Sequence, residues 1–190
     1  MRIIVFAAVV VMFSSCRKTE VIDPVQFPDV KYILLHDAEI SSGKWKAVDV
    51  DEDGINDFNF HTLLVGDPLL QQDKLQYYAG SGIEDYLLNN ELEQTPCLYK
   101  YDDISMHLPG YEWNHISSII LAEKVTGITD PPFWRGNWKN ASHRYLPFRI
   151  NRNGKDFLGW IELSLNTETG KIILHRAALS TKPNVSIKAW

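Results

Sequence analysis

From Val30 onward, hydrophobic positions fall in short runs bounded by turn-forming residues. Val30 to Leu35, Trp45 to Val48, Asp57 to Val65, Leu75 to Tyr78 and Leu98 to Tyr101 are rich in β-branched and aromatic residues, as strands require. Phe58, Phe60 and Thr62 alternate with Asn59, His61 and Leu63, giving one strand two distinct sides. The clearest pattern lies near the C-terminus. Phe148 to Ile150, Phe157 to Leu165 and Lys171 to Leu179 form a meander, with turns at Asn151 to Gly154 and Asn166 to Gly170. In its middle strand Ile161, Leu163 and Leu165 point one way and Trp160, Glu162 and Ser164 the other. Ile83 to Leu92 reads as a short helix or as irregular chain, and Ile116 to Val125 as strand or helix. No sustained 3.6-residue period emerges. The expected fold is all-β: an antiparallel β-sandwich over residues 30–190, with at most a short helix or two.

The start of the chain is different in kind. A positive Met1-Arg2 opening leads into an apolar run from Ile3 to Phe13, too short for a stable membrane span, then Ser14, Ser15 and Cys16. Small residues before a cysteine resemble the lipobox of bacterial lipoproteins, which implies cleavage of residues 1–15 and lipidation of Cys16. The alternative is an ordinary secretory leader with Cys16 left as a thiol. Residues 16–29, with Pro24 and Pro28, read as a flexible tether. Either leader places the mature chain outside the cytoplasm, and lipidation implies the cell envelope, most naturally the outer membrane.

Composition narrows the partners. The net charge of −5 becomes about −6 once Arg2 is removed, which argues against nucleic acid. Cys97 is the remaining cysteine and lies in an apolar-aromatic stretch, so it reads as an inert core thiol. The six histidines show neither H-x-H nor H-x-x-x-H spacing, so zinc has no sequence support. Nucleophile-elbow, P-loop and dinucleotide signatures are missing, and the expected role is non-enzymatic.

One stretch does carry chemistry. Asp49 to Asp57 reads DVDEDGIND, with aspartates at its first, third, fifth and ninth places and Gly54 at the bend. Calcium takes six to eight hard oxygen ligands in adaptable geometry, which such a turn supplies. The twelfth place is Phe60 where an EF-hand has Glu, so the pattern is not an EF-hand. It resembles the nine-residue loops of thrombospondin type 3 repeats. That likeness implies Asp49, Asp51, Asp53 and Asp57 as side-chain ligands and Ile55 as a carbonyl ligand, with Ca²⁺ as cofactor. A plain acidic Asp-Gly turn is the alternative. Together with the Gly159 to Ile161 hairpin, the loop gives the chain a likeness to surface lipoproteins of Gram-negative bacteria, a group that supplies no catalytic residues.

A second candidate is the loop DPPFWRGNWKN at Asp130 to Asn140. Exposed indoles of Trp134 and Trp138 would stack on sugar rings while Arg135 and Asn137 bond hydroxyls; buried, they are ordinary core. The expectations are therefore an attachment or assembly domain held to a membrane by lipid, engaging another surface protein, or a glycan-binding module.

Overall fold

The computed structural model describes residues 30–190; the leader, Cys16 and the tether lie outside the described residues. Thirteen strands follow in order: β1 (Val30–Ile40), β2 (Trp45–Val48), β3 (Phe58–Asp67), β4 (Gln72–Ser81), β5 (Asp85–Asn89), β6 (Asp103–Ile104), β7 (Glu112–His115), β8 (Ser118–Gly127), β9 (Phe133–Arg135), β10 (Arg144–Arg152), β11 (Lys155–Asn166), β12 (Lys171–Ser180) and β13 (Ile187–Lys188). No helix occurs among the described residues. One sheet runs β1-β12-β11-β10-β5-β7, the other β2-β3-β4-β8-β9, and β13 pairs with β6 in a small third sheet. Every pairing is antiparallel, and the architecture is an all-β sandwich.

The two ambiguous segments resolve as strands: Ile83 to Leu92 contains β5, and Ile116 to Val125 lies largely in β8. Leu98 to Tyr101 is not a strand; only Leu98 bridges, to Tyr145, before the chain turns. The meander forms as its residue pattern requires. Asn153 and Gly154 have φ of 53° and 73°, the left-handed pair of a tight hairpin turn, and they join β10 to β11. Ile161, Leu163 and Leu165 enter the core between the sheets, where Phe58 meets Phe148 at 4.8 Å between ring centroids.

The opposite side of β11 is covered where Trp160 lies and half-exposed at Ser164. Trp160 is fully buried there in a second apolar cluster, beneath Ile104, Ile187 and Ala189. Its indole N–H donates to the Lys188 carbonyl at 3.2 Å. The C-terminal chain covers this face, a long-range contact that no local pattern encodes.

Gly159 sits where the six-stranded sheet is tightest. It is paired with Phe148, and a methyl group there would strike the Phe148 ring and the Ala178 carbonyl. At Gly66 an added methyl meets only Asp73 Oδ1, at 3.6 Å. We expect Gly159→Ala to lower unfolding free energy by at least about 2 kcal/mol through overpacking, with Gly66→Ala near neutral. Urea titration of both variants checks this; equal effects would refute the packing account.

Candidate functional site

The acidic loop joins β2 to β3 at the end of the sandwich where the chain crosses between sheets. Asp57 anchors it from within. Its amide donates to Val48 O at 3.0 Å, its carbonyl accepts from Gly82 N at 2.9 Å, and its Oδ2 accepts from Val50 N at 2.6 Å. The loop's own amides then fix the remaining carboxylates. Asp49 accepts from Glu52 N at 2.6 Å and Gly54 N at 2.9 Å, Asp51 from Asp53 N at 3.2 Å, and Asp53 from Ile55 N at 2.7 Å. Left-handed φ at Glu52 (63°) and Gly54 (89°) closes the curl.

This curl gathers three of the four expected acids. One carboxylate oxygen each from Asp49, Asp51 and Asp57 lies within 4.8 Å of the others, so the trio has the spacing to hold a metal ion. Asp53 lies outside the trio: its carboxylate is exposed and turned onto the Ile55 amide. Ile55 itself has an exposed side chain.

Sequence reasoning missed the cation that already serves this cluster. Arg152, at the end of β10, gives Nε to Asp51 Oδ2 at 2.6 Å, one terminal nitrogen to Asp85 Oδ1 at 3.1 Å, and the other to Asp57 Oδ1. Asp85 opens β5, so one guanidinium ties the loop, the crossing chain and the β10–β11 turn together. Four carboxylates (Asp49, Asp51, Asp57 and Asp85) against one guanidinium leave an excess of three negative charges. Lys31, a second cation at the loop, is engaged with Glu52 and the Asp51 carbonyl.

Burial first, and the neighbouring carboxylates after it, set the titration of the two buried acids. Burial, with Asp85 and Asp51 adding to it, pushes Asp57 up to about 6 against the pull of the Val50 amide and Arg152. Burial likewise raises Asp85, despite its bond from Arg152. For Arg152, burial works against the charge, but the bonds to Asp51 and Asp85 outweigh it and the net shift is upward. The donor set, all hard oxygen and over-charged, fits a divalent cation.

The tryptophan loop does not form a platform. Gly136, at φ 102°, passes so close to the backbone of Leu121 and Ala122 that no side chain fits. The turn drops Trp138 into the core, fully buried, with its indole N–H on Thr95 O at 3.3 Å. Asn137 is spent on the same carbonyl, at 2.6 Å. Trp134 is half-buried against Tyr77, and Arg135 is exposed beside Phe133. An indole that stays in the core keeps its large apolar area from water, which a sugar site would forgo. A cleft of about 890 Å³ lies instead beside β7, lined by Tyr111, Trp113, Asn89, Asn90 and Asn114 among others. Cys97 is a half-buried free thiol, pushed by burial up to about 11 and so unreactive at neutral pH.

Compared with known proteins, the chain matches no family model, no curated protein and no solved structure.

Two predictions follow from the charge cluster. Replacing Arg152 by Met strands three carboxylates and should cost about 3–5 kcal/mol at pH 7. Chemical denaturation checks it, and a loss under about 1 kcal/mol would show the clasp to be idle. The second concerns Asp57, whose folded pKa stands above its unfolded value. The unfolded chain therefore loses this proton first, and stability falls as pH rises from about 4 to about 6. With chelator present, the stability of the native protein relative to Asp57→Asn should drop across that window by up to about 3 kcal/mol. A flat or rising difference refutes the assignment.

Proposed function

We propose that the chain is an exported β-sandwich domain, anchored through lipid on Cys16 to the bacterial envelope, with a calcium ion stiffening the Asp49–Asp57 loop for an attachment or assembly role. The observation that carries the metal reading is the convergence of Asp49, Asp51 and Asp57 within 4.8 Å. Three charges left over at the cluster give a divalent ion an electrostatic reason to bind. Oxygen donors without thiolate or imidazole favour hard cations. Calcium is preferred to magnesium because an irregular turn of carboxylates and carbonyls suits its adaptable coordination, whereas magnesium keeps its waters and a strict octahedron. The leader and the tether support export and anchoring on sequence grounds alone. Among attachment chemistries, a sugar ligand is better served by the Tyr111–Trp113 cleft than by the buried Trp138 loop.

Thermal melts with chelator, with excess Ca²⁺ and with excess Mg²⁺ test the metal. At a hundredfold excess over Kd, calcium should add about 2.7 kcal/mol, or roughly 5–10 °C in Tm for a chain of this size. Asp49→Asn should abolish the shift, because Asp49 belongs to the trio but takes its hydrogen bonds from the loop amides, not from Arg152. An unchanged Tm with calcium, or an equal shift in the variant, removes calcium from the account.

A further inference from the structure

On the side of the six-stranded sheet turned away from the main core, three residues from three strands form a continuous hydrogen-bonded line. Ser164 Oγ of β11 lies 2.8 Å from His175 Nε2 of β12, and His175 Nδ1 lies 2.6 Å from Asp37 Oδ1 of β1. Proton direction follows from the donors available. An ionised Asp37 only accepts, so Nδ1 carries the imidazole hydrogen; Nε2 is then an acceptor, and the Ser164 hydroxyl donates to it. The His143 amide donates to Ser164 Oγ at 2.9 Å, which fixes the hydroxyl further. A nucleophile, a base and a carboxylate that orients the base thus stand in the order acyl transfer needs.

The backbone is distorted to bring them together. Opposite β11, the pairing of β12 skips His175, passing from Arg176 to Leu174 as β11 passes from Glu162 to Leu163. On the other side, β1 passes from Leu34 to Ala38 over the same step, so Leu35, His36 and Asp37 bulge out beside His175. His36 and Asp37 have φ of 57° and 51°, and His143 has 49°, left-handed values that cost non-glycine residues of order 1 kcal/mol or more each. The Asp37–His175 pair that the His36–Asp37 bulge creates leaves the Asp37 side chain 74% exposed, and an exposed pair returns only about 0–1 kcal/mol. Stability alone does not repay the distortion. Bulges that re-aim a side chain are common beside active sites.

The surroundings hold the base in place. The His143 ring stacks on His175 at 4.2 Å, its Nδ1 is 2.8 Å from buried Glu162, and Arg176 Nε holds the other Glu162 oxygen at 2.6 Å. Burial pushes the Glu162 carboxyl up, but bonds from Arg176 and His143 more than offset it, so it stays ionised. His175 is therefore faced by Asp37, Ser164 and His143, with Glu162 and Arg176 behind.

We propose that Ser164 and His175 are catalytic, with Asp37 as the positioning residue, in hydrolysis of small acyl esters carried on a larger molecule. Ser164 Oγ attacks the carbonyl carbon while His175 Nε2 takes its proton. The ester C–O bond breaks, and His175 returns the proton to the departing alcohol. Water then attacks the acyl-serine with His175 as base, releasing the carboxylic acid and restoring the Ser164 hydroxyl. The substrate class follows from the site's openness. The polar line lies outside the cleft beside β7 and the smaller cavity at the β3–β4 turn, with Asp37 74% exposed, so a substrate meets it on an open face without either pocket. An acyl group borne by a polymer or a surface needs none. The activity goes beyond the attachment role and does not depend on the ion.

The test uses the purified protein with a fluorophosphonate probe and with p-nitrophenyl acetate. A single adduct, mapped by mass spectrometry to Ser164, is expected. Ser164→Ala should abolish both adduct and turnover, and His175→Gln should slow labelling at least a hundredfold, each with unchanged circular dichroism. Asp37→Asn should lower kcat tenfold or more with KM unchanged, and Asp37→Glu should recover part of it. No adduct, an adduct elsewhere, labelling undiminished in His175→Gln, or turnover persisting in Ser164→Ala as bare imidazole chemistry would overturn the proposal.

Discussion

One guanidinium shared among three aspartates fixes how the two sheets meet at the loop end of the sandwich. Arg152 presents three nitrogens, and each takes a different partner: Asp51 in the loop before β3, Asp57 at the end of that loop, and Asp85 at the entry to β5. A lysine has no planar fork with which to hold three separate carboxylates at once. Asp57 is fully buried, so an unpaired charge there would be costly, and the partner must arrive for the core to close. The residues so joined lie 67 to 101 positions apart, so this is a tertiary constraint, not a property of the turn.

The clasp and the proposed ion share ligands. Asp51 and Asp57 belong both to the Arg152 fork and to the trio with Asp49. Each carboxylate has two oxygens, so the two roles are compatible: Asp51 turns Oδ2 and Asp57 turns Oδ1 to the guanidinium. A cation at the trio would lie next to a fixed positive charge, which weakens its binding. The four surrounding carboxylates outnumber the two cations and restore the attraction. On this balance the loop's amide bonds matter, because they hold the acids close before any ion arrives and reduce the ordering that binding must impose.

Local chemistry was legible in the sequence, and distant chemistry was not. Trp45 to Val48 forms a strand as its β-branched and aromatic residues implied, and the Asn153-Gly154 turn sets the last meander because both residues tolerate left-handed φ. Three of the four loop aspartates converge because their spacing and Gly54 demand a curl. Arg152 and Asp85 carried no signal, since a charge beside a turn reads as solvated until the fold brings its partner. Trp160 and Trp138 were ambiguous for a related reason. What buries them, the C-terminal strand for one and the core beneath β8 for the other, is remote in sequence. Asp37, Ser164 and His175 form no motif, and two bulges were needed to bring them into line.

The distribution of rigidity across the six-stranded sheet explains why such bulges are tolerable. β12 lies between β1 and β11 and is paired along nearly its whole length on both sides, while Ile172, Leu174 and Ala177 pack into the core. Ile172, Leu174 and Ala177, on either side of His175, are therefore held twice, once by the ladder hydrogen bonds and once by apolar packing. A local distortion costing a few kcal/mol is affordable in that setting, whereas at the short edge strand β7 it would unpair the strand. The polar line of Ser164, His175 and Asp37 thus stands on a strand paired on both sides and backed by the core. Side chains held to sub-ångström tolerance are best carried on such a strand, and the arrangement is what acyl transfer requires of its scaffold.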